Sequence, residues 1–284
     1  MHTKGFGINL NLESKKMHKP IVHSSWQFNI KDLHKPVELY CDILSSTIKN
    51  PNAIKVFWSN EPKEILPNIH QHLLYNHSYY DLIFTWDPIL LNLGKPNIKS
   101  FMMFHCWCAE YAKECKGIFK KEFNVSTVVG DKRALPGHIL RSNLWTNKDK
   151  INIPKKFYKS SKGSTITGEG KLLGDTKYEL FDSQFHIAIE NINTLNMFTE
   201  KINDCMITKT VPIYWGPSNI GEIYNVKGII QFNSIDDLIK KVNNITPETY
   251  EQMKPYIEDN YQRALKLSQT SLGDAIEKEL KDGI

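Results

Sequence analysis

The stretch 185–216, FHIAIENINTLNMFTEKINDCMITKTVPIYWG, puts charged residues where an apolar strand gives way to a helix. An apolar run ends in Glu190-Asn191, a polar loop follows, Thr199-Glu200-Lys201 opens a helix, and VPIYWG reads as a second buried strand. A helix N-terminus carries unpaired backbone N–H groups and a partial positive charge, which suits a phosphate, and a Lys in the first turn adds a mobile full charge. Lys201 and this helix start therefore form a candidate diphosphate site. Glu200, once ionised, only accepts hydrogen bonds, which suits sugar or ribose hydroxyls. A solvated Glu-Lys pair in an ordinary first turn has the same spacing.

Other motifs are informative by type. His105-Cys106-Trp107-Cys108 with Cys115 lacks paired CxxC spacing and a second His at helical distance, so buried thiols are expected there and no metal ligand is assigned. There is no GxGxxG and no GxxxxGK[ST], which sets aside dinucleotide oxidoreductases and P-loop NTPases. Asp-x-Asp is also absent, so a sugar-nucleotide enzyme built on this chain is expected to work without a metal ion or other cofactor.

Elements able to position such a site alternate along the chain. Strands are expected at 54–58, 81–85 and 100–105 with a helix at 63–75, then a strand at 125–129 and a helix at 137–147. The Ser- and Gly-containing stretch 154–176 reads as loop. Beyond it come strand 185–189, helix 199–208, strands 211–214 and 228–232, and helix 234–244 capped by Ser234. A mostly helical tail follows, kinked at Pro255. This alternation is the pattern of α/β folds with parallel sheets, whose ligands sit beyond the carboxyl ends of the strands. The expected division is 1–120, 121–250 and a helical tail 251–284.

The chain has 284 residues, 40% hydrophobic and 11% aromatic, which excludes a disordered chain. Lys and Arg number 36 against 31 Asp and Glu, and a net charge of +5 implies neither a nucleic-acid nor a membrane partner. The polar, Lys-bearing 1–20 does not read as a signal or anchor, no apolar run approaches a membrane span, and five irregularly placed cysteines fit a reducing setting. A cytoplasmic location is the expectation.

The order FxxAxEN, FTEK, VPIYWG resembles the signature of the α1,3/1,4-fucosyltransferase family, whose members have two Rossmann-like domains and use GDP-fucose. The resemblance implies a GT-B-like fold, two Rossmann-type domains whose parallel sheets face a cleft, and an inverting transfer of fucose from GDP-fucose to a hydroxyl of a glycan acceptor. It places Asn191, Glu200 and Lys201 in the donor site, with Lys201 on the diphosphate and Glu200 near the donor sugar. Met197 stands where the family usually has Tyr, with Phe198 beside it. The stretch VSTVVGDKRALPGHILRSNLW resembles the family's strand-loop-helix that brings an Arg to the phosphates; Arg141 fits that place, with Arg133 the alternative. KVFWSNEPKEI resembles the loop carrying the family's general base, making Glu61 the candidate, then Glu64 and Asp87. Another nucleotide-sugar donor, or a non-catalytic nucleotide- or nucleic-acid-binding module, remains as an alternative. Trp58, Trp86, Trp107, Tyr79 and Tyr80 are candidates for stacking on an acceptor sugar.

Overall fold

A computed structural model describes residues 17–24, 30–45, 48–102, 104–160 and 170–283. The first sheet has five parallel strands in sequence order: β1 (Ile21–Ser24), β2 (Val37–Cys41), β3 (Ile54–Ser59), β4 (Leu82–Thr85) and β5 (Ile98–Ser100). Side chains alternate across a strand, and the core follows. Leu39, Val56, Trp58, Leu82 and Phe84 pack on one face, while Tyr40, Phe57 and Ile83 pack on the other against Leu73 of helix α1 (Pro67–Asn76) and Leu90 of α2 (Pro88–Leu91). α1 begins at Pro67, later than 63, because Pro suits the first helical turn and the 62–66 stretch is taken up by turns.

The strand expected at 100–105 ends at Ser100. From Phe101 the chain leaves the first sheet, and α3 (Ala109–Glu114) with Cys108 joins a core built mainly from the second half. That helix lies before the expected boundary at 120 but packs with the residues beyond it.

The second sheet comprises β6 (Glu122–Val129), β7 (Lys155–Lys159), β8 (Lys171–Leu172), β9 (Ser183–Ile189), β10 (Val211–Trp215) and β11 (Ile230–Gln231), all parallel in the order β11-β10-β9-β6-β7-β8. Its helices are α4 (Pro136–Thr146), α5 (Glu200–Ile207), α6 (Ile235–Asn243) and α7 (Pro247–Leu267), the last running through Pro255. Two strands fall in the stretch read as loop: β7 is KKFYK, whose lysines hide the buried Phe157 and Tyr158, and β8 is only two residues long. Residues 161–169 of that stretch lie outside the described residues.

The tail divides. α7 packs on the second half, whereas α8 (Leu272–Lys281) returns to the first sheet and buries Leu272, Ile276 and Leu280 against Leu33, Val37 and Leu39. At about 1.5–3 kcal/mol for each fully buried aliphatic side chain, α8 is an integral part of that core. Among the described residues no helix is long and apolar enough to cross a membrane.

Candidate active site

The carboxyl ends of the two sheets converge on two adjoining cavities, of about 460 and 510 Å³. The first is walled by the second half, including Gly130, Lys132, His138, Arg141, Lys177 and His186; the second is lined by Asn60, Glu61, Trp86, His105, Trp107, Met197 and Phe198. Asn191, Glu200 and Lys201 line both, at the junction.

The junction is built around a buried carboxylate. Glu190, at the end of β9 and fully buried, accepts the Thr199 backbone N–H at 3.0 Å, the Thr199 hydroxyl at 2.6 Å and the Tyr214 hydroxyl at 3.3 Å. These bonds fix Thr199, which caps α5 by accepting the Lys201 backbone N–H. The Lys201 ammonium then stands 3.0 Å from Glu200 Oε1, 3.1 Å from the Thr199 hydroxyl and 3.7 Å from Glu190 Oε2. Burial disfavours its charge, but Glu190 and Glu200 outweigh that and raise its pKa above the usual lysine value. Burial likewise opposes ionisation of Glu200, yet Lys201 and Lys177 bring its carboxyl down to about 2. Burial raises Glu190, against the pull of Lys201.

Arg141 projects from α4 and donates to the Ile189 carbonyl and, at 2.7 Å, to Asn191 Oδ1. The head of α4 presses on the Glu190-Asn191 turn: the Gly137 N–H donates to the Asn191 carbonyl at 2.9 Å, and a Cβ at Gly137 would lie 1.7 Å from the Glu190 carbonyl oxygen. The adjacent His138 takes the Leu135 N–H on Nδ1; burial, then Arg141, Lys132 and Lys201, hold its pKa down to about 4. Four cationic side chains, Arg141, Lys201, Lys132 and Lys177, thus line one cavity, an arrangement suited to a polyanion such as a diphosphate.

Glu61 faces this site from the first half. It is exposed to the cleft, and its carboxyl is raised by the desolvation that the cleft walls impose, with Glu200 adding to the effect and Lys201 and Lys132 opposing it. The remaining sequence candidates lie elsewhere. Arg133 is exposed and donates to the Gly130 and Lys132 carbonyls. Glu64 is exposed in the turn before α1 and lines neither cavity. Asp87 is buried, caps α2 through the Ile89 N–H and sits 2.7 Å from His70 Nε2.

Of the aromatic candidates, Trp86 and Trp107 line the second cavity, and Lys177 lies over the Trp107 ring at 4.8 Å. Trp58 and Tyr80 are buried in the core, and Tyr79 lies under Lys55. Met197 is buried against Trp86, Leu135 and Ile192. The cysteines of 106–108 are tied to an acid, since Asp204 Oδ1 takes the Cys106 thiol and the Trp107 and Cys108 N–H groups. Lys132, Lys177, His138 and His186 were not singled out from sequence; for Lys132 the signal is its place just beyond the carboxyl end of β6.

No family model matches the chain. In sequence it is 36% identical over 81 residues to a protein of Acanthamoeba polyphaga mimivirus that bears the name "Putative fucosyltransferase R654", and 31% identical over 84 residues to the alpha-(1,3)-fucosyltransferase FucT of Helicobacter pylori. These matches take in 27% and 26% of the chain and only 14% and 18% of those proteins. In structure it is similar to an alpha1,3-fucosyltransferase solved with GDP-fucose, at a TM-score of 0.50, 16% identity, and coverage of 82% of this chain and 78% of that one. TarM gives 0.51 at 14% identity, covering 87% of this chain and 54% of that one. The fold is GT-B, two parallel-sheet α/β halves facing a cleft, and part of the sequence that fills it resembles fucosyltransferases.

Proposed function

We propose that the chain is an inverting glycosyltransferase that moves a sugar from a nucleotide donor, GDP-fucose foremost, to a hydroxyl of a glycan acceptor. The observation that carries this is the meeting of Glu61, from one half, with Glu200 and Lys201, from the other, around the second cavity. An inverting displacement needs a base on the face of the sugar opposite the leaving group. Glu61 takes the acceptor proton as the acceptor oxygen attacks, and the diphosphate departs toward Lys201 and Arg141. Preorganised cations in a water-poor cleft commonly contribute several kcal/mol to such a step. Asn191 holds Arg141 in place, Glu200 accepts from donor-sugar hydroxyls, and the cations take the role that a divalent ion has in metal-dependent transferases. Met197 presents a thioether where the family has a phenol, which favours as a second reading a GT-B enzyme with a different nucleotide sugar.

The test is a transfer assay with a panel of labelled GDP- and UDP-sugars on mixed glycan acceptors, run on the wild type and Glu61→Gln. The variant should lose about 10²–10⁴ in kcat, the range for a lost general base, while GDP affinity stays near the wild-type value. A variant that keeps most of its rate would remove Glu61 from the mechanism.

A further inference from the structure

Asp42 follows β2 with φ 51°, in the left-handed region that Asp, Asn and Gly tolerate best. The residue is 8% exposed, and its carboxylate is bonded to the loop that carries Glu61. Oδ1 accepts the Asn60 N–H at 2.9 Å, Oδ2 accepts the Glu61 N–H at 3.0 Å, and Asp42's own N–H donates to the Trp58 carbonyl at 3.1 Å. From the other side the Trp86 indole N–H donates to the Asn60 carbonyl at 2.6 Å. The loop leaves β3, and its two anchors follow the strands on either side of it, β2 and β4. A tight turn needs no buried carboxylate, and burying one is costly unless it serves as an acceptor for charge-assisted bonds. Burial pushes the Asp42 carboxyl up to about 7, against the pull of the two amides.

We infer that Asp42 is a positioning residue for acid–base chemistry, fixing the Glu61 backbone so that its carboxylate meets the acceptor hydroxyl. The inference rests on Glu61 being the base. Displacement of a catalytic group by about 1 Å costs on the order of a hundredfold, so the second acceptor oxygen of Asp42 is needed for rate rather than for folding.

The test is a double-mutant cycle. Asp42→Asn and Asp42→Gly both accept the left-handed φ; Asn turns an amide NH₂ toward one of the two N–H donors, and Gly removes both acceptors. With GDP-fucose as the donor probe, kcat should fall about tenfold for Asp42→Asn and about a hundredfold for Asp42→Gly, with donor KM and GDP affinity little changed. In a Glu61→Gln background Asp42→Gly should cost no more than about twofold, because the residue it acts through is already lost. A wild-type rate in Asp42→Gly, or the same full loss repeated on Glu61→Gln, would overturn the inference. Full activity of Glu61→Gln alone would instead overturn the base assignment, and the inference with it.

Discussion

Gly137→Ala is expected to destabilise the protein, although helix propensity alone favours Ala over Gly by up to about 1 kcal/mol. The added Cβ would stand 1.7 Å from the Glu190 carbonyl oxygen, 2.8 Å from its carbon and 3.0 Å from Asn191 Cα, all of them backbone. To restore even a 3.0 Å contact, α4 and the Glu190-Asn191 turn must part by roughly 1.3 Å. That movement stretches the Gly137–Asn191 and Arg141–Asn191 bonds, 2.9 and 2.7 Å as they stand. Overpacking costs about 1–3 kcal/mol and each of the two weakened bonds about 1 more, so the expected net loss is about 2–4 kcal/mol once the propensity gain of up to about 1 kcal/mol is subtracted. At about 2–4 °C per kcal/mol, thermal unfolding should fall by several degrees, and calorimetric GDP affinity should fall with it. A Tm equal to or above the wild type, with GDP affinity retained, would refute the argument that the head of α4 is seated on this turn by the missing Cβ.

Other outcomes follow from the charges in the cleft. His138 and His186 have folded pKa values of about 4 and about 3, below the 6.5 of an unperturbed His, so the unfolded chain binds more protons across that window and stability falls as the pH drops through it. Asp42, raised to about 7, acts in the opposite sense. His138→Gln should therefore flatten the acid loss of stability measured by denaturant titration between pH 6.5 and 4, and an unchanged slope would count against a buried neutral His138. Sugar transfer should continue in EDTA, given the cations that line the first cavity; loss in chelator that Mn²⁺ or Mg²⁺ restores would contradict this.

The most legible parts of the chain were those where local pattern and tertiary role agree. Thr199-Glu200-Lys201 reads as a helix start and is one, with Thr199 as its cap and Lys201 in the first turn, and β9 and β10 are apolar runs buried in the sheet. β2 was hidden because its VELYC carries Glu38, whose charge is met by His23 and by the N–H groups of Lys49 and Asn50, partners that lie across a turn. α8 reads as a generic amphipathic tail, and only the fold shows that its stripe completes the first core. Within the site, Lys177 lies 24 positions before Lys201 with nothing in its local sequence to link the two, and Lys132, 69 positions before it, is marked only by its place beyond a strand end. Asp42 is a lone acid at a strand end, and its value arises from two N–H groups 18 and 19 residues away.

The cavity lined by Arg141 and Lys201 is expected to receive a nucleoside diphosphate. Calorimetric titration of the wild type and Lys201→Ala with GDP tests it most directly. One GDP site per chain is expected in the wild type and markedly weaker binding in a folded variant, since a charge-assisted contact to phosphate is worth about 1.5–3 kcal/mol, or roughly tenfold or more in affinity. Binding of equal strength in both proteins, or no GDP binding by the wild type, would contradict it.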